Sequence, residues 1–232
     1  MVPLVVGCPV AHRGWVLDAW FDHIEDACEI AGVEPTFAFV VDRGDNCIGV
    51  IERRARNLTM ELVERSKGND ARRWDPKRFA YMVDIRNRLL ALVRAVAPAR
   101  FLSVDSDILI HRHLVQELIA DLDDGTYDAV GAKCYMTSTG TKFPSWGRIG
   151  RSGSLQRYDA SGYFPADVIM AIKIMGPRAY GVDYELDLQG EDIGWCKACT
   201  RNGLRLGWDG RIVSKHLLSP SMMGRVDARV GW

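Results

Sequence analysis

The sequence predicts an α/β domain with a mostly parallel central sheet and helices on both faces. Three observations predict it. Six short apolar, β-branched runs recur along the chain, amphipathic helical stripes separate the first three, and acidic residues stand where the second and third runs end. The composition agrees. The chain has 232 residues, 47% hydrophobic and 26% charged, with zero formal net charge. This is the balance of a globular enzyme or binding domain, and it excludes a disordered or fibrous chain and any global pull toward nucleic acid or membrane. No linker-like stretch, repeat or low-complexity tract divides it, so one domain over 1–232 is expected.

The apolar runs are PLVVGC (3–8), TFAFVVD (36–42), RFLSVD (100–105), DAVGA (128–132), DVIMAIKIM (167–175) and RIVSKHLL (211–218). Continuous runs of this kind suit strands covered on both faces. Between the first two, residues 16–31 set Leu17, Trp20, Phe21, Ile24, Cys28 and Ala31 on one helical stripe. Between the second and third, residues 77–96 do the same with Met82, Ile85, Leu89, Val93 and Val96, and Pro98 closes that helix. Strand, helix, strand, helix, strand in this order gives parallel strands joined by right-handed crossovers. Ligands then bind beyond the carboxyl ends of the strands, where Asp42, Asp105 and Asp107 fall.

The opening MVPLVVGCPVAHRGW has no basic leader, and its apolar run is too short for a secretory core or a membrane span. A strand of a cytoplasmic protein without integral membrane contact is the expectation. Cys8, Cys28, Cys47, Cys134, Cys196 and Cys199 show no disulfide-framework spacing. Cys196 and Cys199 form a CxxC without a second pair, so packing is expected there rather than zinc binding. The sequon at 57–59 carries no weight without a signal peptide.

Charge is unevenly spread. Residues 53–94 hold twelve Lys/Arg against five Asp/Glu, and 135–157 add Lys142, Arg148, Arg151 and Arg157 without an acid. A solvated surface or a phosphate-holding face both follow from such a run. The stretch 136–165 is rich in Gly, Ser and Thr with Trp146, Tyr158 and Tyr163, and reads as a long recognition loop or lid.

The chemistry concentrates at FLSVDSD. Two carboxylates two residues apart at a strand mouth repel unless a cation or a proton lies between them, and hard oxygen ligands suit Mg²⁺ or Mn²⁺ carrying a substrate diphosphate. This stretch resembles the metal-binding DxD motif of GT-A-type glycosyltransferases, and further pieces fall in that family's order. CPVAHRGWVLDAWFDHI resembles the first strand and helix, whose loop, with Pro9, touches the nucleotide. FVVDRGD resembles the second strand, in which Asp42 would contact base or ribose, although the usual DDGS run is absent. DIRNRLLALV resembles the helix before the motif, with Arg86 and Asn87 facing the donor. GEDIGWCKACTRNGLRLGWDGRIVSKH resembles the acceptor-side acidic motif, its helix and a late histidine.

The resemblance implies a nucleotide-binding half over about 1–110 and an acceptor half and tail over about 111–232. It implies Asp107 as direct metal ligand, Asp105 on metal-bound water or ribose, and His216 as third protein contact, a set that suits Mn²⁺ better than Mg²⁺. Asp192 would be the general base and Glu191 an acceptor contact, and Arg225 in the tail would close over the diphosphate. The activity implied is transfer of a hexose from a nucleotide-sugar, UDP-sugar favoured, to an acceptor hydroxyl. The acceptor remains a saccharide or a hydroxylated base in DNA, the latter flipped out with Trp146 or Tyr158 filling the gap. Two other readings stand beside it: a nucleotidyltransferase or phosphohydrolase on a similar sheet, and a non-catalytic nucleic-acid-binding module using the basic face.

Overall fold

A computed structural model of the chain describes residues 2–64, 76–138, 141–157 and 159–225, with the side chains of 135–144 and of 224–225 outside the description. The first half is a run of βα units: β1 (Leu4–Val10), α1 (Gly14–Ile30), β2 (Pro35–Asp42), α2 (Cys47–Arg54), β3 (Leu58–Val63), α3 (Pro76–Val96) and β4 (Arg100–Val104). These four strands are parallel, in the order β3-β2-β1-β4. The apolar runs of β1, β2 and β4 are buried on both sides, where α1 packs with α2 on one side and α3 lies on β1 and β2, whereas β3 at the edge is mostly half-buried. Trp20 and Phe21 of α1 meet Phe37 and Phe39 of β2 in edge-to-face or tilted contacts, with ring centroids 5.1 to 6.3 Å apart.

After β4 come β5 (Ile108–Leu109), α4 (Leu114–Asp123), β6 (Ala129–Ser138), β7 (Thr141–Pro144), β8 (Trp146–Ile149), β9 (Leu155–Gln156), β10 (Tyr163–Pro165), β11 (Val168–Ile169) and β12 (Ile172–Met175). Then follow α5 (Pro177–Tyr180), α6 (Glu191–Arg201), β13 (Leu206–His216) and a 3-10 segment, Pro220–Arg225. The main sheet runs β10-β13-β6-β12-β4-β1-β2-β3, with β5 and β7 paired off this path. β12 is antiparallel to both of its neighbours, whereas β13 is parallel to β6 and carries a bulge between Asp209 and Val213. A second, three-stranded sheet takes β8, β9 and β11.

Two expectations change here. Residues 167–175 are two strands, broken at Met170 and Ala171. The stretch 136–165 is not a loop but a set of short strands, paired as β6 with β7, β8 with β9 and β10 with β13. Its Trp146 is 3% exposed, stacks on Trp208 at 5.4 Å and meets Phe164 edge-on, so the aromatic found its partners in the core. Among the described residues no helix is long and apolar enough to cross a membrane. The six cysteines are buried and unbridged, and burial pushes the Cys196 thiol up to about 12, so its CxxC packs α6 against β11.

Candidate active site

The carboxyl ends of β1, β2 and β4 open into a cleft of about 390 Å³, closed on its far side by the start of α6. Eight of the residues singled out in the sequence line it: Pro9, Asp42, Arg86, Asp105, Asp107, Glu191, Asp192 and His216. Asn87 does not line it. Both ends of its amide are taken by the backbone of Tyr184, whose N–H donates at 2.7 Å and whose C=O accepts at 3.0 Å, so Asn87 fixes α3 to the segment before α6. The Arg225 side chain and Tyr158 lie outside the described residues.

The DSD turn is built by the backbone. The Asp105 N–H donates to the Ala171 carbonyl at 3.0 Å, the Ile108 N–H donates to the Asp105 carbonyl, and the Leu217 N–H donates to the Asp107 carbonyl at 2.8 Å. The last bond fastens the turn to the end of β13. His216 thereby reaches Asp107, with Nε2 3.2 Å from Oδ1, while Arg13 sets Nε at 3.1 Å and Nη2 at 2.9 Å from Oδ2. Burial alone would raise the Asp107 carboxyl, but His216 and Arg13 outweigh it and hold it below its ordinary value. His216 moves the opposite way. Burial lowers it, and Asp107 more than compensates.

Asp105 turns away from this pair. Its Oδ1 accepts from Arg86 Nη2 at 3.0 Å, and the buried guanidinium also spans 3.4 Å to Glu191 and lies over the Tyr184 ring. The expected set of Asp105, Asp107 and His216 is therefore not preformed, because Arg86 competes for Asp105. Among the described residues, the three side chains whose ligand atoms come within 4.8 Å of one another are His12, Asp42 and Asp45. Asp45, however, is engaged as a backbone clasp, accepting the N–H groups of His12 at 2.7 Å and Cys47 at 2.8 Å. Asp42 accepts from the Tyr81 hydroxyl at 3.2 Å at the apolar end of the cleft, between Val40, Val63 and Phe79.

Glu191 and Asp192 sit at the first turn of α6. Gly190 before them has φ +132°, a backbone region open to glycine and strained for a residue with a Cβ. The helix then runs tight against the preceding segment, since a Cβ on Gly194 would lie 1.9 Å from the Glu185 carbonyl oxygen. Burial and Asp192 push the Glu191 carboxyl up against the opposing pull of Arg86. Asp192 is the reverse case. Burial would raise it, but Lys173, Arg86 and the Ala171 N–H hold it below its ordinary value.

Lys173 is the residue that sequence reading missed. It lies on β12, 1% exposed, with Nζ 2.5 Å from Asp192 Oδ1 and over the faces of Tyr184 and Trp195 at 5.5 and 5.2 Å. The available signal was the single cation inside the apolar run DVIMAIKIM. Removing one partner of a buried ion pair leaves the other charge stranded, so Lys173→Met should lower unfolding free energy by about 3 to 5 kcal/mol in denaturant titration. Lys173→Met paired with Asp192→Leu should recover much of that loss.

Between the two acidic groups lies Ala171, with φ +63°. The Ile172 N–H donates across it to the Met170 carbonyl at 2.6 Å, a tight three-residue turn rarely adopted by a residue with a side chain. Its C=O holds Asp105 and its N–H holds Asp192.

The basic stretch is largely self-neutralised where it is described. Arg53 and Arg54 pair with Asp18, Asp22 and Glu25 of α1, Arg88 pairs with Glu61 and Asp84, and Arg94 pairs with Asp183. Arg65, Lys67, Arg72 and Arg73 lie outside the described residues.

No family model and no curated protein matches the sequence. Solved structures do match in fold. S. aureus TarS 1-349 superposes with a TM-score of 0.61 at 14% identity over 92% of this chain and 60% of that one. The same TarS fragment in complex with UDP-GlcNAc gives 0.63 at 14% identity over 94% of this chain and 59% of that one. A197 from STIV gives 0.54 at 11% identity over 94% and 87%. The chain thus spans about 60% of the TarS fragment's length. On topology and superposition together, this chain has an α/β fold with a mostly parallel central sheet, similar to that of the TarS fragment.

Proposed function

We propose that the protein is a metal-dependent glycosyltransferase that moves a sugar, a hexose favoured, from a nucleotide-sugar to an acceptor hydroxyl. One observation carries this reading: Asp107 with His216, Asp42, and the Glu191–Asp192 pair, widely separated in sequence, all face one cleft at the carboxyl edge of the sheet. The whole chain 1–232 works as one unit, with 1–110 holding the nucleotide and the remainder the acceptor. The UDP-GlcNAc bound by the TarS fragment of similar fold supports a UDP-sugar as donor.

The donor set at Asp107 and His216 fits a divalent ion, one carboxylate and one imidazole side by side and open to the cleft, which suits Mn²⁺ over Mg²⁺. Bound there, the ion would neutralise charge on the departing diphosphate as a Lewis acid. The chain does the rest. Val40, Val63 and Phe79 wall the base end, with Asp42 at its polar corner. Asp192 accepts the acceptor's hydroxyl proton, the hydroxyl oxygen bonds to the anomeric carbon, and the carbon–oxygen bond to phosphate breaks with its electron pair leaving on the diphosphate. One displacement of this kind inverts the anomeric centre. Lys173 keeps Asp192 ionised before the step, Glu191 with Arg86 orients the acceptor, and Arg225 closes over the diphosphate.

Among acceptors, a saccharide hydroxyl fits better than a base in DNA, because Trp146 is committed to the core and the described arginines at 53, 54, 88 and 94 already have acidic partners. The test is calorimetry with UDP, GDP, CDP and their common sugar conjugates, each with Mn²⁺ and with chelator. Micromolar binding of one nucleotide that chelator abolishes is the expected result. Absence of binding across the panel removes the glycosyltransferase reading.

A further inference from the structure

Both oxygens of Asp107 are occupied by the protein's own nitrogen groups, His216 on Oδ1 and Arg13 on Oδ2. The two differ in freedom. His216 is fixed by β13, whose end is fastened to the turn by the Leu217 N–H. Arg13 has a pinned backbone, its N–H donating to Cys47 Sγ at 3.2 Å and its C=O accepting the Val16 and Leu17 N–H groups at the start of α1. Its side chain, by contrast, is 36% exposed and lines the cleft. A divalent ion on Asp107 would stand within a few ångströms of this guanidinium and compete for the same lone pairs, and like charges that close repel. The ion carries twice the charge, so the guanidinium must give way.

We propose that Arg13 is a place-holder that neutralises Asp107 while no metal is bound, and that metal binding releases it onto the donor's diphosphate. This rests on the metal-dependent donor site proposed above. Among the described residues the other acids lining the cleft are already engaged, Asp105 and Glu191 by Arg86, Asp192 by Lys173 and Asp42 by the Tyr81 hydroxyl. A released Arg13 therefore meets no ready carboxylate there. Its side chain is anchored within reach of Asp107, which is where a metal-held diphosphate must lie, and the guanidinium fork matches two phosphate oxygens. Metal and nucleotide binding are coupled by this exchange: the metal displaces Arg13 from Asp107, and the nucleotide then gives the freed guanidinium a new partner.

Two measurements on the full chain test it, neither requiring an acceptor. Calorimetry with Mn²⁺ alone should show Arg13→Gln binding the ion about threefold tighter than wild type, since a half-exposed competing pair has been removed. With Mn²⁺ saturating, UDP should bind the same variant about tenfold more weakly, the loss of a charge-assisted contact. Removal of any nearby positive charge would push in the same directions, so the position of Arg13 is read directly. In NMR spectra of the wild type, the Arg13 Nε–H signal should lose its hydrogen-bonded shift on addition of Mg²⁺ and regain one on addition of UDP. An Nε–H signal unmoved by saturating Mg²⁺, or Mn²⁺ affinity unchanged in Arg13→Gln, overturns the exchange while leaving the metal site standing. A wild type that takes up no divalent ion overturns both.

Discussion

Asp107→Ala should abolish metal-dependent donor binding, weakening UDP affinity in Mn²⁺ by about a hundredfold or more, because loss of even an outer partner of a metal ligand costs 10- to 100-fold. Calorimetry with and without chelator reads it. Among the described residues the side chain accepts from Arg13 and His216, both at the cleft, and the turn is held by backbone bonds from Ile108 and Leu217 that survive the substitution. Its thermal unfolding midpoint should therefore stay close to that of the wild type. The residual contribution of Asp107 to folding has a defined pH window. Its carboxyl is lowered in the fold, so that contribution is present at neutral pH, above the ordinary carboxylate range, and lost as pH falls through the lowered value; the raised His216 contributes below the ordinary histidine range and is lost as pH rises through its folded value. Undiminished affinity in Asp107→Ala with Mn²⁺ present would remove the metal role from this turn.

Asp192→Asn should leave donor affinity within a fewfold of wild type and reduce turnover by about 10² to 10⁴, the range supplied by a positioned general base. Nucleotide diphosphate release reports turnover even when water is the acceptor. The amide keeps an oxygen for Lys173 Nζ, so the geometry is retained while basicity is lost. Glu191→Gln is the discriminating companion. Its carboxyl is pushed up by burial and by Asp192, which would make it the stronger proton acceptor of the two once ionised, whereas Lys173 and Arg86 hold the Asp192 carboxyl low and so make it the weaker base. Turnover lost in Glu191→Gln and kept in Asp192→Asn would assign the base to Glu191. The expected outcome for Glu191→Gln is a raised acceptor KM with the chemical step largely intact.

Where apolar period and polarity coincided, the fold was legible. The runs ending at Asp42 and at Val104 before Asp105 became β2 and β4, and α1 and α3 lie within a residue or two of their stripes. What the sequence did not disclose is physical in origin. An apolar run carries no direction, so nothing in IKIM marks β12 as antiparallel. β3 was missed because its short edge run, LTMELV, is interrupted by Thr59 and Glu61, and α2 and α4 because 8 and 10 residues let a stripe repeat over only about two or three turns. Asp42, Asp105 and Asp107 could be located because strand ends locate them, whereas Glu191 and Asp192 were found only through the family resemblance. Their partners could not, since Arg13, Arg86 and Lys173 are brought to Asp107, Asp105 and Asp192 by tertiary contacts spanning 94, 19 and 19 positions in sequence.

The peptide at Ala171 sets the gauge of the cleft. One residue's carbonyl and amide reach the Asp105 turn and the start of α6, so the separation of the two acidic groups is measured by main-chain atoms of the turn between β11 and β12 and not by side chains. Such a gauge is indifferent to what the neighbouring residues are, provided the left-handed twist survives. A lineage could exchange many side chains in the walls and still keep Asp105 and Asp192 at the same separation.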